Sequence, residues 1–129
     1  MKSQHAATSR ALQAGRRLFN AGRFFEAHEV WEEAWLRETG DTRRLLQALI
    51  QIAAGYHHAF DRGRPSGCVR LLDAGSRRLE TLADDAGGLA LRAVRDAVAA
   101  SLAKARRWDR GEIGAPRPEE APLLGEQRG

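Results

Sequence analysis

The segment from about Thr42 to Phe60 limits the fold more than any other part of the chain, because it is apolar over most of a helix circumference. At about 100° per residue, leucine, isoleucine, alanine and aromatic side chains cover nearly every direction of the helical wheel. A helix that is apolar on almost all sides is normally central in its domain. The other helices are therefore expected to surround it. Its single polar stripe consists of Gln47, Gln51 and His58.

Apolar spacing and turn residues predict four more helices around this segment. Glycine favours the left-handed backbone that ends a helix, and proline suits a first helical position. The pattern predicts an all-α protein, a compact bundle of about five helices built on two helical hairpins. The predicted helices cover about Ala7–Phe19, Phe24 to Arg37 or Glu38, Thr42–Phe60, the region from Pro65 to about Leu82, and Leu89–Trp108.

A weak internal repeat with an offset of 41 residues supports the two hairpins. Two hairpins are too few for an open solenoid, so they are expected to close into a bundle with the fifth helix. His28 corresponds to Val69 in the second copy, so the hairpin does not need a histidine at that position. The matching residues are Gly22, Ala27, Trp31 and Ala34 in the first copy, and Gly63, Cys68, Leu72 and Gly75 in the second.

The 129 residues are expected to form one bundle domain over residues 1–108, followed by an irregular or flexible tail over residues 109–129. Prolines, glycines and charges in the tail argue against a core of its own. Leu123 and Leu124 are candidates to dock on the bundle. With Cys68 as the single cysteine, an internal disulfide and a multi-cysteine zinc site are excluded.

The chain is basic, with a net charge of +4 and a pI of about 10.2. Its arginines are dispersed among acidic residues, whereas a nucleic-acid-binding surface should concentrate positive charge on one face. This distribution disfavours a nucleic-acid partner. No apolar run reaches the roughly 18 residues of a membrane span, and no secretory segment is present at the N-terminus. A cytoplasmic protein without a membrane partner is expected.

The second predicted helix carries the polar residues that most suggest a site. His28 and Glu32 are four residues apart, on one face and beside apolar positions, where an unpaired polar group is costly. His57 lies beside Leu46 and Ile50 on the wheel of the third helix, so partial burial is expected. A ligand or polar cluster of His28, Glu32, Gln51 and His57 is predicted between the second and third helices.

Two interpretations of this cluster stay open. Under both, His28 and Glu32 are coupled, and removing either partner of the pair costs roughly 1–3 kcal/mol. In one, His28 hydrogen-bonds Glu32 or Gln51 and fixes the helix packing. In the other, His28, Glu32 and His57 bind a divalent metal ion, as carboxylate and histidine ligands do between bundle helices. No residue is assigned a catalytic role.

A longer pattern resembles a known family over about residues 12–75. Leu18-Phe-Asn-x-Gly22-x-Phe-Phe-Glu-Ala-His-Glu-Val-Trp-Glu-Glu-x-Trp35 resembles the signature of the small helical family called domain of unknown function 309. So does Leu49-Ile-Gln-Ile-Ala53 followed by Tyr56-His57-His58. The resemblance implies an all-helical bundle and supplies no reaction. The family's usual glycine before Leu49 is Ala48 here, and its usual Gly-Asn turn is Gly63-Arg64.

One hairpin also resembles the tetratricopeptide repeat, although no 34-residue continuation follows it. This resemblance concerns geometry more than function. The residues at the repeat's spacing are Gly15, Leu18, Gly22, Phe24, Ala27, Trp31 and Ala34.

Taken with the family resemblance, the polar cluster favours a ligand-binding or protein-interaction module. The partner is expected to be another protein or a second copy of the chain. A metal-dependent hydrolase using His28, Glu32 and His57 is the alternative. A nucleic-acid-binding protein acting through dispersed arginines is the second alternative.

Overall fold

Helices joined by short turns make up most of the computed structural model, which describes residues 2–127. Two short 3₁₀ turns, Ala86–Gly88 and Pro118–Glu120, accompany the α-helices. The predicted all-α bundle of five helices is confirmed. No helix among the described residues is long and apolar enough to span a bilayer. The helices are α1 (Lys2–Asn20), α2 (Phe24–Trp35), α3 (Gly40–Phe60), α4 (Pro65–Glu80) and α5 (Leu91–Asp109).

Several helix ends differ from the predicted ones by two or more residues. Helix α1 begins at Lys2 instead of Ala7, because the intervening residues include no glycine or proline to interrupt the helix. Helix α2 ends at Trp35, and the chain turns at once through Leu36. Helix α5 begins at Leu91, because Leu89 instead pairs with Glu126 in an isolated antiparallel bridge.

Helix α3 is central, as its apolar circumference predicts. It packs against α2 on one side and α4 on the other, while α1 covers α2 and α5 covers α4. The main helix contacts therefore join helices that are consecutive in the chain. The buried residues of α3 are Leu45, Leu46, Ala48, Leu49, Ile52, Ala53, Gly55, Tyr56 and Ala59.

Glycines allow the helices of each hairpin to approach closely. A Cβ atom added at Gly15 would lie 2.1 Å from Nε1 of the buried Trp31. In the second hairpin, a Cβ atom at Gly55 would lie 2.8 Å from Leu72 Cδ2. Both distances are below van der Waals contact, so each bulky residue occupies space that only glycine leaves open.

The C-terminal segment folds back onto the bundle and contacts the C-terminal end of α1. Leu124 is buried, and its main chain forms two hydrogen bonds with the Asn20 side chain. The Asn20 amide donates to Leu124 O at 3.1 Å, and Asn20 Oδ1 accepts from Leu124 N at 2.8 Å. Leu123 is exposed. The structure thus shows where Leu124 docks, while a boundary between a 1–108 bundle and a 109–129 tail stays a prediction.

Candidate functional site

His28 and Glu32 are paired on α2, with 3.0 Å between His28 Nε2 and Glu32 Oε2. The buried face of α2 contains Phe24, Ala27 and Trp31, and His28 lies at the edge of that face. The His28 side chain is 24% exposed and that of Glu32 is 50% exposed. Water therefore reaches the carboxylate, and such pairs contribute little to stability. The loss expected from breaking the pair is accordingly below the roughly 1–3 kcal/mol that the sequence suggests.

A second pair joins His57 and Asp61 at the end of α3. His57 Nδ1 lies 2.7 Å from Asp61 Oδ2, four residues further along the chain. His57 is partly buried, in agreement with its position on the helical wheel. Each of the two predicted histidines therefore has its own carboxylate partner.

Phe25 connects the two pairs. Its ring centroid lies 5.6 Å from that of His28 in a stacked arrangement and 5.1 Å from that of His57. The side chain is nevertheless 49% exposed. We define the α2–α3 face by five residues, namely Phe25, His28, Glu32, His57 and Asp61.

Phe25 does not belong to the cluster predicted from the sequence. A signal for it exists in the pair Phe24-Phe25, because successive helical residues point about 100° apart and Phe24 already lies on the apolar arc of α2. Phe24 is buried and Phe25 is half exposed, and the spacing of three residues places Phe25 beside His28.

The second ring nitrogen of His28 has no hydrogen-bond partner. His28 Nδ1 is buried and unpaired among the described residues. Because Nε2 faces the Glu32 carboxylate, Nε2 is assigned as the donor and Nδ1 as an acceptor without a donor. A buried polar atom left unpaired destabilises the folded state and calls for an explanation.

Gln51 and His58 have other surroundings. Gln51 Oε1 accepts a hydrogen bond of 2.9 Å from Arg78 Nε of α4, so the structure pairs Gln51 with Arg78 and not with His28. His58 packs against Gly67 with its Nδ1 buried and unpaired. Burial, with a smaller contribution from the neighbouring His57 and arginines, lowers the pKa of His58. The predicted polar stripe of α3 is thus partly covered by α4.

The metal site predicted at His28, Glu32 and His57 stays a prediction, and the arrangement of the described residues does not favour it. Among residues 2–127, no group of three or more histidine, cysteine, aspartate or glutamate side chains is placed to hold a metal ion. His28 and His57 instead pair with separate carboxylates, and Phe25 packs against both imidazoles. Within the same residues, neither imidazole hydrogen-bonds a hydroxyl or a thiol that could serve as a nucleophile.

The surface of α2 is acidic, although the whole chain is basic. Its sequence contains four glutamates and no lysine or arginine. Glu26 pairs with Arg23, and Glu33 lies 4.0 Å from Arg37. Glu29 is exposed and forms no ion pair within the described residues. Glu29 and Glu32 therefore make the exposed surface of α2 acidic, whereas Glu26 and Glu33 are compensated by arginines at the two ends of the helix.

Many arginines elsewhere are paired with acidic side chains. These pairs occur on several helices and in the C-terminal segment, which agrees with the dispersed charge of the sequence. They include Arg16–Glu126, Arg44–Asp41, Arg77–Asp73, Arg95–Asp84, Arg106–Asp73, Arg110–Glu112 and Arg117–Glu120.

Comparisons with known proteins agree with the helical pattern. Residues 12–71, which include the whole α2–α3 face, match the model of the family described as Domain of unknown function (DUF309). A conserved hypothetical protein of Thermus thermophilus, known from a crystal structure, is 41% identical in sequence with a TM-score of 0.58. The similarity covers 74% of this chain and 92% of that chain. A comparison with curated proteins found no match. From the family match and this relative, we conclude that the chain belongs to the DUF309 family.

Proposed function

We propose that this domain is a protein-interaction module that binds a basic segment of a partner protein at the α2–α3 face. The observation that carries the proposal is Phe25, an aromatic side chain that is 49% exposed while two imidazole rings support it. Isolated exposed apolar residues are common on protein surfaces. A supported aromatic ring differs because it is already ordered and so loses little side-chain entropy on binding.

Charge indicates the chemistry of the partner. Glu32 and Asp61 belong to the α2–α3 face, Glu29 lies four residues after Phe25 on the same helix, and α2 contains no basic residue. Complementary charge across an interface favours association and suppresses wrong partners. A lysine- or arginine-rich segment meets this requirement. An arginine guanidinium can also lie over the exposed face of the Phe25 ring, as in cation–π contacts.

The second hairpin argues against a purely structural role for the face. The residues equivalent to Phe25, His28 and Glu32 are Ser66, Val69 and Asp73, and the second hairpin folds without the aromatic ring or the imidazole. His28 also buries an unpaired Nδ1 atom, which disfavours folding. A residue that opposes stability is more readily explained by binding than by packing.

The two alternative functions have less support. A metal-dependent hydrolase would need His28, Glu32 and His57 in one ligand set, whereas these histidines pair with separate carboxylates. Elemental analysis of protein purified without a histidine tag tests this alternative, and stoichiometric zinc, manganese or iron that disappears in His28→Ala would favour it. Nucleic-acid binding would need a concentrated basic face, and it predicts retardation of DNA or RNA at low salt.

Selection of random displayed peptides on the full chain tests the proposed function. Enriched peptides are expected to contain arginine or lysine beside an apolar residue, and to bind more weakly as salt increases. Phe25→Ser, His28→Val and Glu32→Asp together give α2 the residues of α4. This triple variant should bind the selected peptides at least about tenfold more weakly, since a central aromatic anchor typically contributes about 2 kcal/mol or more.

A matched control changes exposed residues on another helix. Ala93→Ser with Asp96→Asn alters the exposed surface of α5 and should leave peptide affinity unchanged. Equal binding of the selected peptides to the triple variant and to the unmodified chain would contradict the proposal. Enrichment of acidic peptides would contradict the charge argument.

A further inference from the structure

A cavity of about 210 Å³ lies apart from the α2–α3 face, between α3, α4, α5 and the C-terminal segment. Tyr56 and Phe60 of α3 and Cys68 of α4 form its inner side. Pro116 and Glu120 of the C-terminal segment form its outer side. The cavity is therefore bounded by three helices and by the segment that Leu124 anchors.

Small side chains on α5 leave this space open. Ala97, Ala100 and Ala105 line the cavity at positions where leucine or valine would fill it. A dry apolar cavity of about 150 Å³ is enough to bind benzene. The space here measures about 210 Å³ and is open to solvent at Ala100, Lys104 and Glu120, so it has room for one aromatic ring with a small substituent.

The cavity contains one pair of hydrogen-bonded hydroxyl groups, at the place where α3 meets α5. The Tyr56 hydroxyl donates to Ser101 Oγ at 2.8 Å, and both residues line the cavity. The Ser101 hydroxyl makes no other hydrogen bond among the described residues, so its own proton is available to a ligand oxygen. A few placed polar groups in an apolar pocket are what orient small ligands.

The remaining groups of the cavity favour an uncharged, non-covalent ligand. Lys104 Nζ lies 3.5 Å from Glu120 Oε2 at the rim, so the two charges largely compensate each other. Burial raises the pKa of the Cys68 thiol to about 11, which keeps the sulfur protonated and a poor nucleophile at neutral pH.

We propose that this cavity binds a small uncharged aromatic molecule that carries one hydroxyl or carbonyl oxygen. The ring lies among the alanines of α5, and the oxygen accepts a hydrogen bond from Ser101. The site is independent of the α2–α3 face, since none of the five residues of that face lines the cavity.

Benzyl alcohol and toluene are suitable probes, because they differ mainly in one hydroxyl group. Titration of the full chain should shift the amide NMR signals of residues around Tyr56 and Ser101. Benzyl alcohol should bind about three- to tenfold more tightly than toluene, which corresponds to one net hydrogen bond. Ser101→Ala combined with Tyr56→Phe removes both hydroxyl groups that line the cavity, so it should abolish this preference and still allow toluene to bind.

Two further variants separate occupancy of the cavity from general effects on folding. Ala97→Phe should fill the cavity and abolish binding of both probes, whereas Ala103→Phe on the exposed side of α5 should change neither. Absence of binding, equal affinity for both probes, or signal shifts confined to other parts of the surface would overturn the proposal.

Discussion

The two hairpins α1–α2 and α3–α4 bury residues at the same positions and differ on their outer surfaces. Both turns place a glycine in the left-handed region, Gly22 at φ 79° and Gly63 at φ 60°. The residues that follow at equal spacing are buried in both copies. They are Ala27, Trp31 and Ala34 in α2, and Cys68, Leu72 and Gly75 in α4.

Away from the core, the equivalent positions have different chemistry. Phe25 and His28 of α2 correspond to Ser66 and Val69 of α4. Asn20 at the end of α1 holds the C-terminal segment, whereas the equivalent Asp61 pairs with His57. The features common to both copies, a turn glycine and three buried positions, are thus those that fold a hairpin, and the outer residues make contacts specific to one copy.

The largest expected effect concerns the bulky inner residue of each hairpin. Trp31→Ala should lower the free energy of unfolding by about 3–5 kcal/mol, because it removes a fully buried indole that packs on Gly15 and Phe19. Leu72→Ala should cost about 2–4 kcal/mol, since the smaller side chain leaves a smaller cavity. Urea denaturation of both variants measures the difference. A smaller loss of unfolding free energy for Trp31→Ala than for Leu72→Ala would contradict the claim that the two side chains fill equivalent positions in the two hairpins.

Asn20 gives a smaller effect that is specific to the first hairpin. Asn20→Asp introduces the residue of the second copy and removes the amide that donates to Leu124 O. The expected loss is about 1–2 kcal/mol, because a carboxylate then faces a carbonyl oxygen. Hydrogen exchange at the Leu124 amide should also become faster. An unchanged unfolding free energy would show that the C-terminal segment does not depend on this contact.

The second hairpin should produce a small pH dependence through His58. Its pKa lies below the ordinary 6.5, so protonation opposes folding. The stability gained by burying neutral His58 is fully present above pH 6.5 and is lost as the pH falls through the lowered pKa. His58→Gln should therefore lose less stability than the unmodified chain between about pH 7.5 and pH 5.

The equivalent position in the first hairpin supplies the control for this pH effect. Arg17 is exposed and stays charged over the whole range, so Arg17→Gln should leave the pH dependence unchanged. Urea midpoints at the two pH values measure the effect. If His58→Gln had the same pH dependence as the unmodified chain, burial of His58 would not contribute to it.

Contacts within one helix and its turn could be predicted from the sequence, because local spacing determines them. The glycine turns, the central position of α3 and the His28–Glu32 pair all follow from positions close together in the chain. Contacts between helices could not be derived in this way, because they depend on how helices cross. The contact of Phe25 with His57, the pairing of Gln51 with Arg78 and the docking of Leu124 on Asn20 are of this second kind.

The central claim is that the α2–α3 face serves binding and is dispensable for folding. The most direct measurement is urea unfolding of the variant that combines Phe25→Ser, His28→Val and Glu32→Asp. The expected unfolding free energy lies within about 1 kcal/mol of that of the unmodified chain, because Phe25 and Glu32 are half exposed and His28 buries an unpaired nitrogen. A loss of more than about 2 kcal/mol would show that the face is a structural cluster and contradict the claim.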